Sequence, residues 1–146
     1  MMRRLLPFIL LIALAGCTQG PKGKYETRLE GHKPKALIAE RVEGQSPWKV
    51  DLRMQPEEPR SNAETRFQFV VEDEKRQPVR DAQVHASLVM PLMDMGKNDF
   101  DAKETAAPGV YDATGKFTMG DEWEVIVTVT KDGKTGKHIF NVRVQE

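Results

Sequence analysis

The chain has 146 residues, and its 22 Lys and Arg balance 22 Asp and Glu. No segment gathers those cations into a basic stripe, which excludes nucleic acid as a partner. A single cysteine excludes a disulfide framework, so any fold must rest on packing.

In chain order, Arg3 and Arg4 make a short positive start, Leu5 to Ala13 an apolar run, and Leu14-Ala15-Gly16-Cys17 a small-residue box ending on cysteine. A charged start followed by so short an apolar run has the form of a signal peptide and is too short for a permanent transmembrane helix. The box resembles the bacterial lipobox. That resemblance implies that residues 1–16 are removed, that Cys17 is acylated, and that the protein sits outside the cytoplasm, anchored to a membrane through its N-terminal lipid. Two or three acyl chains hold stably where one would not. Thr18 in second place permits an outer-membrane destination where the organism has one.

Residues 17–47 form the expected tether. Between Thr18 and Pro47 lie three prolines, four glycines and charges at no helical or strand period, which is the composition of a solvated spacer. At most, Ala36 to Val42 makes a brief helical turn.

From Trp48 to Glu146 the pattern changes to short alternating segments broken by Gly, Pro, Asn and Asp, and this is the expected domain. Val50, Leu52 and Met54 share one parity, as do Phe67, Phe69 and Val71, then Val84, Ala86, Leu88 and Met90. Later come Tyr111, Ala113, Phe117 and Met119, then Trp123, Val125, Val127 and Val129, then Phe140, Val142 and Val144. Each set is a strand with one buried face. A seventh strand falls within Asn98 to Ala107. Asp132-Gly133 supplies the positive φ angles of a tight hairpin between the last two. No segment holds a 3.6-residue period, so the fold class is all-β, an immunoglobulin-like antiparallel β-sandwich of about seven strands.

Catalytic motifs are missing. His32, His85 and His138 fall in the tether, on an outward strand face and at a strand start, with no nucleophile elbow, phosphate loop or paired-histidine zinc spacing beside them. The chain is therefore not expected to be an enzyme.

The unusual feature is methionine. Of five in the chain after residue 16, three fall within six residues, Met90-Pro-Leu-Met93-Asp-Met95, and Met119 follows Phe117 just before Gly120 and Trp123. Thioethers are soft, uncharged donors suited to Cu(I), and Cys17, spent on lipid, offers no thiol. Methionine is also a common core filler, and the parity of Met90 and Met119 points inward. Antiparallel pairing of the strand ending at Met90 with the strand starting at Trp123 brings all four methionines to one pole. His138 belongs near the opposite pole, and His85 lies roughly 16 Å from Met90 along an extended strand.

Pro78-Val79, Asp81-Ala82-x-Val84, Met90-Pro-x-Met93-x-Met95, Pro108-Gly109-Val-Tyr111 and Phe117-x-Met119 before Gly120 and Trp123 together resemble the YtkA-like domain family, which is related to FixH-like envelope proteins. The resemblance spans about Trp48 to Glu146. It implies an immunoglobulin-like sandwich outside the cytoplasmic membrane and a link to copper handling or cytochrome oxidase assembly, with Met90, Met93, Met95 and Met119 as the metal-binding positions. Relatives often carry histidine where this chain has Leu92 and Gly96, so a mixed His/Met site and Cu(II) are disfavoured. Two functions are expected: a noncatalytic lipoprotein that handles Cu(I) as chaperone, buffer or oxidase-assembly factor, or a metal-free module that docks a membrane-protein partner. In the first, Trp123 would shield one face of the site.

Overall fold

The computed structural model describes residues 33–94, 96 and 98–146. They form eight strands: β1 (Leu37–Glu43), β2 (Lys49–Gln55), β3 (Glu64–Glu72), β4 (Gln83–Val89), β5 (Asp99–Glu104), β6 (Val110–Lys116), β7 (Asp121–Lys131) and β8 (Lys134–Val144). The alternating apolar sets fall on the expected strands, and in β2, β4 and β7 alternate residues are buried as the period of two requires.

All paired strands run antiparallel, in the order β1-β8-β7-β4-β5-β6-β3-β2. The first half of β5 pairs with β4, Val84 opposite Ala102, and its second half pairs with β6, Glu104 opposite Tyr111. β5 thus turns the corner between two layers, and the continuous sheet curls into a sandwich. One layer is β2-β3-β6-β5 and the other β4-β7-β8, the immunoglobulin-like arrangement. Phe67 of β3, Phe117 and Trp123 of β7 meet edge to face through the middle, at 5.7 and 5.4 Å between ring centroids. Trp123, Phe67, Phe117 and Val125 are fully buried.

Two expectations about the strands need correction. Residues 36–42 are not a helical turn within a tether: β1 lies there and pairs along β8 from Leu37–Val142 to Glu43–Lys137. Its first residues join the core, since Ala36 is buried and Leu37 packs against the cluster. At the other end of the sequence, the strand expected to run to Met119 stops at Lys116. Phe117 still points inward, but the chain then bends, and the parity that put Met119 inside does not survive the bend.

The hairpin at Asp132-Gly133 is as expected, with φ of 50° and 74°, the left-handed pair that matches strand twist. Cys17 and His32 lie outside the described residues, as do the signal and most of the tether.

Candidate metal centre

Strand directions sort the connections into two poles. Residues 56–63, 90–98 and 117–120 lie at one, together with the chain end at 145–146, because β7 begins there, opposite the end of β8 at Val144, and β4 ends there, with Val89 opposite Glu124. The connections 44–48, 73–82, 105–109 and 132–133 lie at the other.

At the first pole, Met90 and Met93 bracket a tight turn. The Met93 N–H donates to the Met90 carbonyl at 3.3 Å, and Pro91 supplies the fixed φ the second turn position favours. Asp94 accepts the Gly96 N–H at 3.1 Å, and Gly96 adopts a φ of 74°. The loop closes where the Leu88 N–H donates to the Asn98 carbonyl at 2.9 Å. The Asn98 side-chain amide then donates to the Lys116 carbonyl at 2.9 Å, tying this loop to the one that carries Met119.

Burial separates the methionines. Met90 is 7% exposed and belongs to the core, as its parity indicated, while Met93 is 47% and Met119 40% exposed. Met95 lies outside the described residues. Met119 is held by its backbone: the buried Trp123 indole N–H donates to its carbonyl at 3.0 Å. Trp123 does not shield the site directly; it sits in the core and fixes the backbone on which Met119 is displayed. Two outward thioethers on cross-tied loops suit a soft monovalent metal and not a hard or acid-requiring one. Among the described residues no three His, Cys, Asp or Glu side chains converge as a metal site.

The two described histidines, His85 and His138, stand apart from this pole. His85 is on the outer face, with Nδ1 2.8 Å from Asp101. His138 is not at the strand's open start but inside the protein, 2% exposed and opposite Val127 and Val42. Its Nε2 lies 3.0 Å from the Ser46 hydroxyl, which also accepts the Trp48 N–H at 3.1 Å. Burial holds the His138 pKa below its ordinary value, partly offset by the Trp48 backbone.

The opposite pole holds a hydrogen-bond cluster that sequence reasoning missed. Both oxygens of Glu104 accept backbone N–H groups, Asp81 at 2.9 Å and Gly109 at 3.1 Å, and with Arg80 nearby they hold its carboxyl below the usual range, the Asp81 bond being the largest cause. The Tyr111 hydroxyl donates to the Val79 carbonyl at 2.8 Å and accepts the Ala82 N–H at 3.0 Å. Burial pushes the Tyr111 phenol up. Gly109, at φ 70°, leaves room for no side chain, since a Cβ there would stand 2.8 Å from the Val71 carbonyl oxygen and the Pro78 Cβ. Pro78-Val79, Asp81-Ala82 and Pro108-Gly109-Val-Tyr111 therefore build this pole, and of the quoted motifs only the methionine segments reach the other. A lone Glu at position 104 offers no motif by which it could have been found.

A family model described as YtkA-like matches residues 43–128, more than half of the chain. No curated protein matches it. Among solved structures, the soluble domain of PmoD from Methylocystis sp. ATCC 49242 (Rockwell) is similar at 16% identity and a TM-score of 0.44, covering 70% of this chain and 95% of that one.

Proposed function

This chain belongs to the YtkA-like family, and on that footing we propose that it is a noncatalytic envelope lipoprotein that binds Cu(I) through methionine thioethers. Cys17 bears the lipid, and the metal is cargo, held for transfer or buffering in copper handling or oxidase assembly. The observation that supports this best is the outward display of Met93 and Met119 on two loops tied together by Asn98. Thioethers placed for packing alone would be buried, as Met90 is. Met93 and Met119 supply exposed donors, and Met95, next to Met93 in sequence, and Met90 complete the proposed ligand set.

The test is a Cu(I) titration against a chromogenic competitor, using the chain from residue 17 with Cys17→Ser so that no thiol competes. We expect wild-type loops to bind one equivalent and Met93→Leu with Met119→Leu to weaken binding at least tenfold. Leucine keeps the apolar bulk, so the unfolding midpoint should stay within about 1 kcal/mol of the parent. Equal affinity in the two proteins would sink the proposal.

One observation favours a second reading. Leu92, at the tip of the same turn, is 95% exposed and cannot ligate a metal. A metal-free module that docks a membrane-protein partner through this pole accounts for it, since methionine adapts to varied apolar surfaces. A membrane pull-down that captures the same partner with wild type and loses it with Leu92→Asp would favour that reading.

A further inference from the structure

Among the described residues, the six most exposed large apolar side chains are not scattered. Val89, Leu92, Met93 and Met119 all lie at the methionine pole, and only Ile38 and Val42, on the edge strand β1, lie elsewhere. The turn Met90 to Met93 pushes Leu92 outward as a convex apolar tip, with Met93 on its shoulder. A convex apolar tip is a suitable shape for entering a soft apolar medium.

The course of the N-terminal chain says which medium is near. β1 begins opposite Val142, and just before it the Arg143 N–H donates to the Ala36 carbonyl at 2.8 Å while the Ala36 N–H donates to Glu57 at 3.2 Å. Residues 33–36 therefore enter the domain at the methionine pole. Only β8 and β7 separate β1 from β4, so the entry lies about three strand spacings, roughly 14 Å, from the turn that bears Leu92. Fifteen residues, 18–32, separate Cys17 from Lys33, with a reach of at most about 50 Å.

We infer that the methionine pole is the membrane-facing pole, and that Leu92 with Met93 and Val89 dips into the lipid surface to which Cys17 is anchored. The inference rests on the lipid-anchored reading above. The anchor supplies the affinity, and the tip supplies orientation. The exposed cations at this pole, Lys33, Lys35, Arg60 and Lys116, are matched by Glu58, Asp94, Asp121 and Glu146, so the pole has no cationic excess and the surface it fits is zwitterionic rather than anionic. Cu(I) held at this pole would be presented at the bilayer rather than toward the far hairpin at Asp132-Gly133.

Because Cys17 is the only cysteine, the chain from residue 17 can be coupled through it to a maleimide lipid in phosphatidylcholine vesicles, whether or not the cell acylates it. With Leu92→Trp, an exposed change that leaves the core intact, phosphatidylcholine brominated on its acyl chains should quench the new indole at least twofold relative to unbrominated vesicles. Lys134→Trp, at the opposite pole, should show no such quenching. Adding Met93→Asp to Leu92→Trp should abolish it. An indole at position 92 that stays open to aqueous acrylamide and insensitive to bromine overturns the inference and leaves the pole to a protein partner; equal quenching at position 134 also overturns it. The mass of the chain recovered from cells tests anchoring separately. A chain without acyl groups would sink the lipoprotein reading, whereas the vesicle result alone decides whether this pole enters lipid.

Discussion

At the scale of single residues, His138 is the group whose chemistry is most dictated by its surroundings. Its Nε2 engages Ser46, its Nδ1 is buried with no hydrogen-bond partner, and Val42 and Val127 flank it across the sheet. The neutral ring fits this site, because Ser46 satisfies the one nitrogen that carries hydrogen. Burial penalises the charged ring, which lowers the folded pKa, and protonation would also place a second N–H where nothing accepts it. The unfolded chain then binds the proton first. Stability from this site is full above the ordinary histidine pKa of about 6.5 and declines as pH falls below it, toward the lowered folded value. Replacing His138 by Leu should cost about 1 to 3 kcal/mol at pH 7.5, where the bond to Ser46 is lost and Trp48 alone holds its hydroxyl. That difference should shrink by pH 5.5, since the variant has no proton to gain there. Denaturant unfolding at the two pH values checks it, and a constant difference would show that His138 does not titrate against folding.

At the scale of elements, β1 is the part of the fold that the sequence concealed. Leu-Ile-Ala-Glu-Arg-Val-Glu has no alternation, because an edge strand beyond the reach of the facing layer buries only its first residue, and pairing with β8 rather than a buried face holds the rest. Arg41 secures the outer face through Asn141 at 3.0 Å and Glu124 at 2.7 Å, contacts with no signature in local sequence. Strands that face the core behaved oppositely: β2, itself an edge strand, and β4, β7 and β8 were legible because one face of each meets the core, so burial imposes a period of two. Met119 and His138 were misplaced for related reasons, since parity is lost through a bend and an inward parity in β8 can accommodate a polar ring. Nearly all of β1 also lies outside the family match, which starts at residue 43. A chain beginning at Gly44 should keep its sandwich but lose about 2 to 4 kcal/mol, the worth of Ala36 and Leu37 in the core plus the β1 ladder. It should also self-associate through the freed β8 edge. Sedimentation and thermal unfolding would show both effects, and a monomer of unchanged stability would mean that β1 adds nothing to the fold.

At the scale of the whole molecule, the two poles divide the work. The pole at Gly109 is fastened by hydrogen bonds, with Glu104 and Tyr111 each holding two backbone groups of other segments. The methionine pole leaves Leu92, Met93 and Met119 outward. β4, seven residues long, spans the distance between them, roughly 23 Å, well beyond the range at which substitutions usually couple. Stability and metal binding should therefore be separable by mutation. Gly109→Ala forces a Cβ against the Val71 carbonyl and Pro78 at a positive φ, and should destabilise the protein by about 2 kcal/mol or more. At a temperature where that variant is still folded, its Cu(I) affinity should match wild type within about threefold, whereas Met93→Leu with Met119→Leu should show the reverse pattern. Unfolding curves and competitor titrations on the two variants give the four numbers needed. Parallel losses in Gly109→Ala would mean that the loops depend on the far pole for their geometry, and that the sandwich transmits strain along β4 instead of insulating one end from the other.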